Sequence, residues 1–114
     1  MKVTYESMAR YSGYWILVVL DLPNRSKADR AQGLRFKNFL KLRGFQVLQP
    51  SLYAKFSFAD TSAKSACDGV LKISPKMGKM TVLRMTDAQF QVGKRVARGK
   101  ICPIPDARSL ITIV

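Results

Sequence analysis

The feature of the sequence that most suggests chemistry is one carboxylate, Asp21, which follows an apolar run. The six residues from Trp15 to Leu20 are all apolar, and this predicts a short strand buried on both faces. Pro23 cannot donate a hydrogen bond to a sheet, so the strand is expected to end before it. Asp21 is therefore predicted at the C-terminal end of a central strand, where side chains point into a crevice, with a basic segment after it.

The residue types that are missing exclude several mechanisms. The chain contains no histidine, and its two cysteines are Cys67 and Cys102. This excludes Ser-His-Asp and Cys-His catalysis and leaves no ligand set for structural zinc. Cys67 falls on a helical stripe that faces the core, which favours a small apolar side chain over a nucleophile. Two unclustered cysteines are typical of a reduced, cytosolic protein, although a disulfide between them stays open.

Positive charge is the strongest global property of the chain. Lys and Arg number 20 against 7 Asp and Glu, which gives a formal net charge of +13. With 114 residues, 47% of them hydrophobic, we expect one folded domain with a real core. A polyanion such as nucleic acid would relieve the self-repulsion of so basic a domain. Because the sequence shows no apolar leader and no transmembrane stretch, we expect a cytoplasmic protein that binds nucleic acid and no membrane.

The segment after Asp21 is predicted to form a basic helix from Asn24 to Arg43, capped by Asn24 or Ser26 and ended by Gly44. It contains seven cations and one acid, Asp29. A solvated helix face usually mixes in glutamates for pairing, so their absence favours a surface that faces phosphates. Its apolar face is predicted to comprise Ala28, Ala31, Leu34, Phe36, Phe39, Leu40 and Leu42.

The remaining elements follow from the spacing of apolar residues. Strands are predicted from Phe45 to Gln49, from Leu52 to Phe58 and from Lys79 to Met85. A second helix is capped by Asp60, Thr61 or Ser62, and its core stripe comprises Ala63, Ala66, Cys67, Val70 and Leu71. The sequence Thr86-Asp87-Ala88-Gln89 is a capping-box pattern, which predicts a short helix from Asp87 to Val92.

The order β-α-β-β-α-β predicts the α+β, ferredoxin-like fold, an antiparallel sheet with two helices on one face. We divide the chain into an N-terminal extension (residues 1–13), the ferredoxin-like domain (14–92) and a basic tail with a C-terminal strand (93–114). Tyr53, Lys55 and either Phe45 or Val47 are expected on the open sheet face, whose apolar character favours dimerisation.

The tail begins with Gly-Lys-Arg-Val-Ala-Arg-Gly-Lys over residues 93–100. Taken alone, this basic run is also what a disordered tail would show. Residues 101–105 contain two prolines and are expected to be irregular. Leu110 to Val114 forms a short apolar β segment, and such a strand needs an edge to pair with, in its own chain or in another.

Four stretches together resemble the small CRISPR-associated adaptation protein. They are the strand end Leu20–Pro23, the helix end Phe39-Leu-Lys-Leu-Arg-Gly-Phe45, the segment Val47-Leu-Gln-Pro-Ser-Leu-Tyr-Ala-Lys55, and Thr81-Val-Leu-Arg-Met-Thr-Asp-Ala-Gln-Phe90. That family is the second, non-integrase component of the spacer-acquisition complex and is often described as an endoribonuclease. The similarity covers residues 14–90, and the order and spacing of the pieces are specific.

The resemblance implies a homodimer with its sheets face to face, in which the C-terminal strand, here Leu110 to Val114, adds to the partner's sheet. It also implies that Asp21 holds a divalent metal with its symmetry mate, and that Ser51 and Tyr53 follow the hairpin corner of the site. This sequence departs from the family in its N-terminal extension, in its long basic tail and in Pro50 at the corner.

An enzyme hypothesis follows from this metal. Two Asp21 carboxylates could hold Mg²⁺ or Mn²⁺, which would polarise a phosphodiester and activate a water, making the protein a metal-dependent endonuclease. Arg25, Lys27 and Arg30 could clamp phosphates, while Ser51 or Tyr53 positions the water. Against this, each chain supplies one acid and no general base. Asp21 could instead cap the following turn by accepting hydrogen bonds from the backbone of residues 24–26.

A scaffold hypothesis requires less of the sequence. A basic homodimer could hold a prespacer DNA duplex through its phosphates and bring it to the CRISPR integrase, without base recognition. The cations expected to contact the duplex are Arg25, Lys27, Arg30, Arg35, Lys37, Lys76, Lys79, Arg84, Lys94, Arg95 and Arg98. A reader of single-stranded RNA would need paired aromatics on central strands, which the sequence lacks. Toxin-like endoribonucleases of similar fold stay a further alternative.

Overall fold

A four-stranded antiparallel sheet forms the centre of the computed structural model, which describes residues 13–104. The strands of this sheet are β1 (Tyr14–Asp21), β2 (Gln46–Gln49), β3 (Leu52–Ser57) and β4 (Lys79–Thr86), and their spatial order is β2-β3-β1-β4. The helices are α1 (Lys27–Leu42), α2 (Asp60–Lys72) and the short α3 (Asp87–Gln91). A separate hairpin is formed by β5 (Arg95–Ala97) and β6 (Lys100–Cys102). The predicted ferredoxin-like α+β fold is confirmed.

Strand β1 lies in the middle of the sheet and is buried on both faces as its apolar run predicts, except at Val19, which is exposed. Ile16, Val18 and Leu20 pack under the two long helices, which supply Phe36 and Leu40 from α1 and further side chains from α2. The alternate residues of β1 face the other side of the sheet, which we call the open face. Both long helices therefore cover one face of the sheet.

Helix α1 begins and ends through local chemistry. Ser26 is its N-cap, and the Ser26 hydroxyl accepts a hydrogen bond from the Asp29 backbone while the Asp29 carboxylate accepts one from the Ser26 N–H. This reciprocal capping box starts the helix at Lys27 rather than at Asn24. Gly44 follows the helix with a φ of 92°, a conformation that favours glycine, and confirms the predicted stop.

The apolar face predicted for α1 is too broad. Phe36 and Leu40, one turn apart, are buried against the sheet, whereas Leu34, Phe39 and Leu42 are 60%, 50% and 84% exposed. A helix turns about 100° per residue, so Leu34 and Leu42 point away from the face that holds Phe36 and Leu40. The helix thus presents apolar as well as basic groups to its surroundings.

The cap predicted for α2 is wrong, although the helix itself is present. Its N-cap is Ala59, which offers no side-chain hydrogen bond, and the helix begins at Asp60. Ala63 and Val70 are buried, and Cys67 is half-buried against the same core, in keeping with its predicted place on the stripe. Burial is the main cause that raises the pKa of the Cys67 thiol, which makes it a poorer nucleophile.

The side chains of β3 alternate as predicted, but the faces were assigned the wrong way round. Tyr53 is the cross-strand neighbour of Val18 and is buried in the core under the helices. Leu52, Ala54 and Phe56 occupy the open face instead, because their register partners in β1 face that side. The alternation divides β3 into two sets but does not say which set meets the helices.

The other residues expected on the open face also lie on the helix side. Phe45 is buried in the same core as Tyr53, and Val47 is the register partner of Tyr53. Lys55 donates a hydrogen bond of 2.7 Å from Nζ to the backbone carbonyl of Arg43 and lies 5.9 Å from the centre of the Phe45 ring. The helix C-terminus and an aromatic face hold this cation on the covered side.

The basic run after Gly93 forms a hairpin in the structure. Strands β5 and β6 pair antiparallel, and Arg98 and Gly99 at the tip have φ angles of 53° and 75°, as in the type I′ turn that suits a tight hairpin. The expectation that residues 101–105 are irregular is therefore wrong for Ile101 and Cys102. The predicted strand Leu110–Val114 and the extension up to residue 12 lie outside the described residues. Within the described residues, no helix combines the length and apolar character needed to cross a membrane.

Candidate nucleic-acid interface

Asp21 is the last residue of β1 and points to the open face from an exposed position. The chain leaves the sheet here and runs through Leu22, Pro23 and Asn24 towards α1. Together with Met77, Gly78 and Lys79, this segment lines an open cleft of about 590 Å³. We call it the Asp21 cleft. The predicted position of Asp21 at a strand end beside a crevice is present in the structure.

Two cations share the Asp21 cleft with the carboxylate. Lys79, the first residue of β4, is the direct register partner of Asp21, so both side chains project from the same face of the sheet. Arg25 lines the cleft from the loop before α1. Opposed residues of an antiparallel pair have Cβ atoms about 4.5–5.5 Å apart, close enough for the two side chains to interact.

Gly78 fixes the approach of β4 to the end of β1. Its φ is 88°, and a Cβ at this position would lie against the backbone carbonyl of Asp21 and 3.0 Å from Leu22 Cα and Pro23 Cδ. A positive φ disfavours any other residue, and the neighbouring backbone cannot move aside as a flexible side chain would. Glycine is therefore required to set Lys79 beside Asp21.

Replacing Gly78 with alanine is expected to destabilise the domain by about 2–4 kcal/mol, because strain at a positive φ and a backbone clash add together. The matched control is Gly99→Ala, since Gly99 also has a positive φ of 75° but meets nothing within 4 Å. That variant is expected to lose about 1 kcal/mol. Urea unfolding of both proteins measures the difference, and equal losses would contradict the close packing at Gly78.

A second, partly apolar groove adjoins the Asp21 cleft. Arg35 from α1 and Lys76 from the loop before β4 line it, together with Phe36 and Phe39. The groove and the cleft share the side chains of Leu22, Pro23 and Met77, so the two depressions are continuous. Four of the predicted cations, Arg25, Arg35, Lys76 and Lys79, thus lie around one continuous depression, and we call them the cation rim.

Arg30 stabilises the loop that carries Arg25. Its guanidinium donates hydrogen bonds to the backbone carbonyls of Asn24 at 3.3 Å and Arg25 at 3.5 Å. Lys27 and Lys37 lie elsewhere on α1, the first exposed and the second half-buried. The basic helix therefore contributes one cation to the rim and a second that holds the loop in place.

Four other predicted cations lie away from the rim. Arg84 forms an ion pair of 3.1 Å with Asp60 on the helix side of the sheet. Arg95 donates a hydrogen bond of 2.8 Å to the carbonyl of Leu48, which anchors the hairpin to β2. Lys94 precedes the hairpin and Arg98 lies at its tip. The structure therefore separates these four cations from the cation rim.

Of the two residues expected to position water, Tyr53 points into the core and Ser51 lies beside the end of β1. Tyr53 is 3% exposed in the core, and burial raises the pKa of its hydroxyl. The side chain of Ser51 is exposed, and its backbone carbonyl accepts a hydrogen bond of 2.9 Å from the Leu20 N–H. Neither residue lines the Asp21 cleft. The Ser26 N–H, which could have capped Asp21, donates to Asp29 instead.

The chemistry of the cleft does not form a metal site within one chain. Across residues 13–104, no three Asp, Glu, Cys or His side chains come together as a ligand group. Asp21 is the one acidic side chain among the residues that line the cleft, and Arg25 and Lys79 stand beside it. Mg²⁺ binding would therefore need oxygen donors from outside this chain.

An aromatic cluster on the open face was missed by the sequence reasoning. The Trp15 ring stacks on Phe90 of α3 with centroids 4.2 Å apart and meets the edge of Phe56 at 5.3 Å. The indole Nε1 donates a hydrogen bond of 2.8 Å to the Asp87 carboxylate. The short helix α3 therefore covers one end of the open face. Farther along, Val19 and Leu83 stay 39% and 44% exposed.

Known proteins resemble this chain over most of its length. No family model matches it. It is 33% identical over 81 residues to the CRISPR-associated endoribonuclease Cas2 of Paracidovorax avenae, which covers 71% of this chain and 75% of that protein. The Cas2 protein of Flavobacterium psychrophilum is 31% identical over 86 residues, 75% of each chain. The chain belongs to the Cas2 family.

Membership of the Cas2 family confirms the resemblance seen in the sequence. A third relative, the Cas2 protein of Acidovorax ebreus, is 35% identical over 75 residues, which cover 66% of this chain and 74% of the relative. All three are named CRISPR-associated endoribonucleases. The described part of this Cas2 family member contains the complete ferredoxin-like unit on which the cation rim is built.

Proposed function

We propose that this chain acts in CRISPR spacer acquisition as a homodimeric adaptor, which holds a prespacer DNA duplex together with the CRISPR integrase. The observation that carries the proposal is the cation rim. Arg25 and Arg35 come from one segment of the chain, Lys76 and Lys79 from a second one about forty residues further on, and together they line one continuous depression. A net charge of +13 supplies long-range attraction to a polyanion, and the rim supplies local contacts to its phosphates.

The contacts expected from this rim fit a duplex held without base recognition. Lys and Arg bind phosphate oxygens, which position a nucleic acid but carry no sequence information. The described strands present no row of exposed aromatic side chains that would stack on splayed bases, since Trp15 is fully buried. Two rims related by a dimer axis would bind two segments of one duplex, so that geometry rather than sequence selects the DNA.

The dimer itself is expected to form through the open face. Val19 and Leu83 are exposed there beside the nearly buried Leu17, so an apolar strip continues from the aromatic cluster towards Asp21. A second sheet packed on this strip would remove it from water. This arrangement would also bring the two Asp21 clefts onto one assembly.

Neutralising the rim tests DNA binding directly. The double variant Arg35→Gln/Lys76→Gln is expected to weaken duplex binding and to lower the slope of log affinity against log salt by about 0.9 for each lost phosphate contact. Binding of a labelled duplex is measured by fluorescence anisotropy across a series of salt concentrations. The two replacements leave the capping box and the Arg30 hydrogen bonds intact, so the fold should be unaffected.

The control for this experiment removes the same charge elsewhere. Lys64→Gln/Lys72→Gln changes two exposed lysines of α2, on the helix that does not contribute to the rim. This variant is expected to keep nearly the full slope, because long-range attraction alone contributes little at moderate salt. Equal weakening by both pairs would show that net charge, and not the rim, binds the duplex, and the proposal would fail.

A second candidate function is a metal-dependent endonuclease. The names of the relatives, CRISPR-associated endoribonucleases, favour nuclease activity. In this candidate, Asp21 and its symmetry mate would hold Mg²⁺ or Mn²⁺, which activates a water for attack on a phosphodiester. Arg25 would lie near the scissile phosphate. Cleavage of RNA and DNA with added metal, compared between wild type and Asp21→Asn, distinguishes this candidate from the adaptor.

A further inference from the structure

We propose that Lys79 is the counter-ion of Asp21, and that the Asp21 cleft binds a backbone phosphate of nucleic acid in preference to a divalent metal ion. The inference rests on the proposed function, because the duplex is the source of the phosphate. The inference assigns a role to Lys79 and to the Asp21 carboxylate. Phosphate binding by the adaptor and metal binding by the nuclease are then alternatives for the same cleft.

The register of the sheet places Asp21 and Lys79 directly opposite each other. Asp21 and Lys79 are the terminal pair of the β1–β4 ladder, and both side chains leave the same face of the sheet. Opposite charges on directly opposed residues attract each other, and here both are exposed at the rim of the cleft. Gly78 keeps the two strands in this relation, because its positive φ and its close contact with the Asp21–Pro23 backbone exclude any other residue.

The net charge of the residues that line the cleft disfavours a divalent cation. One carboxylate faces two cations, Lys79 and Arg25, so a divalent cation entering the cleft would be repelled twice for each favourable contact. Lys79, as the register partner of Asp21, would also compete with a metal ion for the carboxylate. A dimer would not change this balance, because each protomer brings its own Arg25 and Lys79 together with its Asp21.

A phosphate suits the same residues. The Arg25 guanidinium can donate two parallel hydrogen bonds to phosphate oxygens, and Lys79, which lines the same cleft, adds a point charge. Before a phosphate binds, the Asp21 carboxylate offsets part of the repulsion between Lys79 and Arg25, and its negative charge opposes that of the incoming phosphate. The cleft adjoins the groove that holds Arg35 and Lys76, so a phosphate here would lie in line with others along the rim.

Binding of Mn²⁺ to the full chain tests the metal side of the inference. Free Mn²⁺ is counted by electron paramagnetic resonance in titrations of wild type, Lys79→Met, Lys79→Gln and Lys79→Met/Asp21→Asn. Wild type is expected to bind weakly, and both single Lys79 variants about tenfold more tightly, since the competing charge is gone. The double variant should lose this gain, which shows that Asp21 holds the ion. Thermal melts confirm that each variant is folded.

Two results of the Mn²⁺ titrations would overturn the inference. If wild type binds Mn²⁺ as tightly as Lys79→Met, and Asp21→Asn weakens that binding, then Lys79 does not neutralise Asp21 and the cleft is a metal site. Tighter binding in both Lys79→Met and the double variant would place the ion elsewhere, and the inference would also fail.

Duplex binding tests the phosphate side. Lys79→Met should lower the salt slope by about 0.9 for each protomer that contacts the duplex, whereas Asp21→Asn should tighten binding about two- to fivefold by removing the negative charge that lines the Asp21 cleft. Weaker binding by Asp21→Asn in the presence of EDTA would contradict the assigned roles. If wild type binds no duplex at all, the proposed function fails, and the Mn²⁺ comparison still decides between a neutralised and a metal-binding carboxylate.

Discussion

Replacing Trp15 with alanine is expected to remove about 3–5 kcal/mol of the free energy of unfolding, a large part of what a domain of this size possesses. Trp15 is completely buried, stacks on Phe90 and contacts the edge of Phe56. Its loss would leave a large cavity between the sheet and α3, and the Asp87 carboxylate would lose its indole donor. The melting temperature should fall by roughly 15–30 °C.

Two control variants separate the contribution of ring packing from that of the hydrogen bond. Trp15→Phe keeps an aromatic ring against Phe90 but removes the hydrogen bond of 2.8 Å to Asp87, and it is expected to cost about 1–2 kcal/mol. Asp87→Asn keeps an oxygen acceptor at the same place and should cost less. Differential scanning calorimetry orders the three variants. A Trp15→Phe protein as unstable as Trp15→Ala would show that the hydrogen bond, and not ring packing, dominates.

Trp15→Ala should also release the segment that follows the sheet. The open-face core joins Trp15 to Phe90 of α3 and to Ile104 beyond the hairpin, and Arg95 attaches the hairpin to β2 through one hydrogen bond. Without the indole, amide hydrogens of residues 87–102 are expected to exchange faster than those of β1 and β3. Hydrogen exchange by mass spectrometry measures this, and uniform protection across both regions would contradict the role of Trp15 as the anchor.

The local features of the fold could be predicted because they depend on residues close together in sequence. The capping box at Thr86 and Gln89 is formed by two hydrogen bonds, of 3.0 and 3.2 Å, within one turn, as its pattern indicates. The stop at Gly44 follows from the φ that only glycine readily adopts. The apolar run before Asp21 is long enough for a strand and too short for most helices, which determined β1.

The candidate site was harder to predict, because its residues meet through pairing between distant strands. The position of Lys79 beside Asp21 depends on the register of β1 with β4, which the sequence does not specify residue by residue. The same limit applied to β3, because the sequence did not determine whether Tyr53 or Leu52 faces the helices. The hairpin at Arg98-Gly99 was also hard to predict, because arginine is not a residue that usually adopts the first position of a type I′ turn.

Some of the predicted cations interact with other groups of the same chain. Asp60 pairs with Arg84, and the backbone carbonyl of Leu48 accepts a hydrogen bond from Arg95. Both partners are remote in sequence, so composition alone counts these arginines as available for nucleic acid. For the same reason, net charge overestimates the number of phosphate contacts that one protomer can make.

The second large effect is expected from charge on the open face. In Val19→Glu/Leu83→Glu, two carboxylates enter the apolar strip through which we expect two copies to associate, and burying them without partners would be very costly. The variant should be a folded monomer by sedimentation equilibrium, where wild type is expected to be a dimer. Val19 and Leu83 are already 39% and 44% exposed, so the monomer can solvate the new charges.

Losing the dimer should weaken duplex binding far more than the added charge explains. Two rims on one duplex act as linked sites, and the second contact gains an affinity advantage of about a hundredfold or more that a monomer does not have. The matched control is Leu34→Glu/Leu71→Glu, which adds the same charge at exposed positions of α1 and α2. It should stay dimeric and lose only a few-fold in affinity. If the open-face variant stays dimeric, the two copies associate through another surface, and the two Asp21 clefts need not lie on the same side of the assembly.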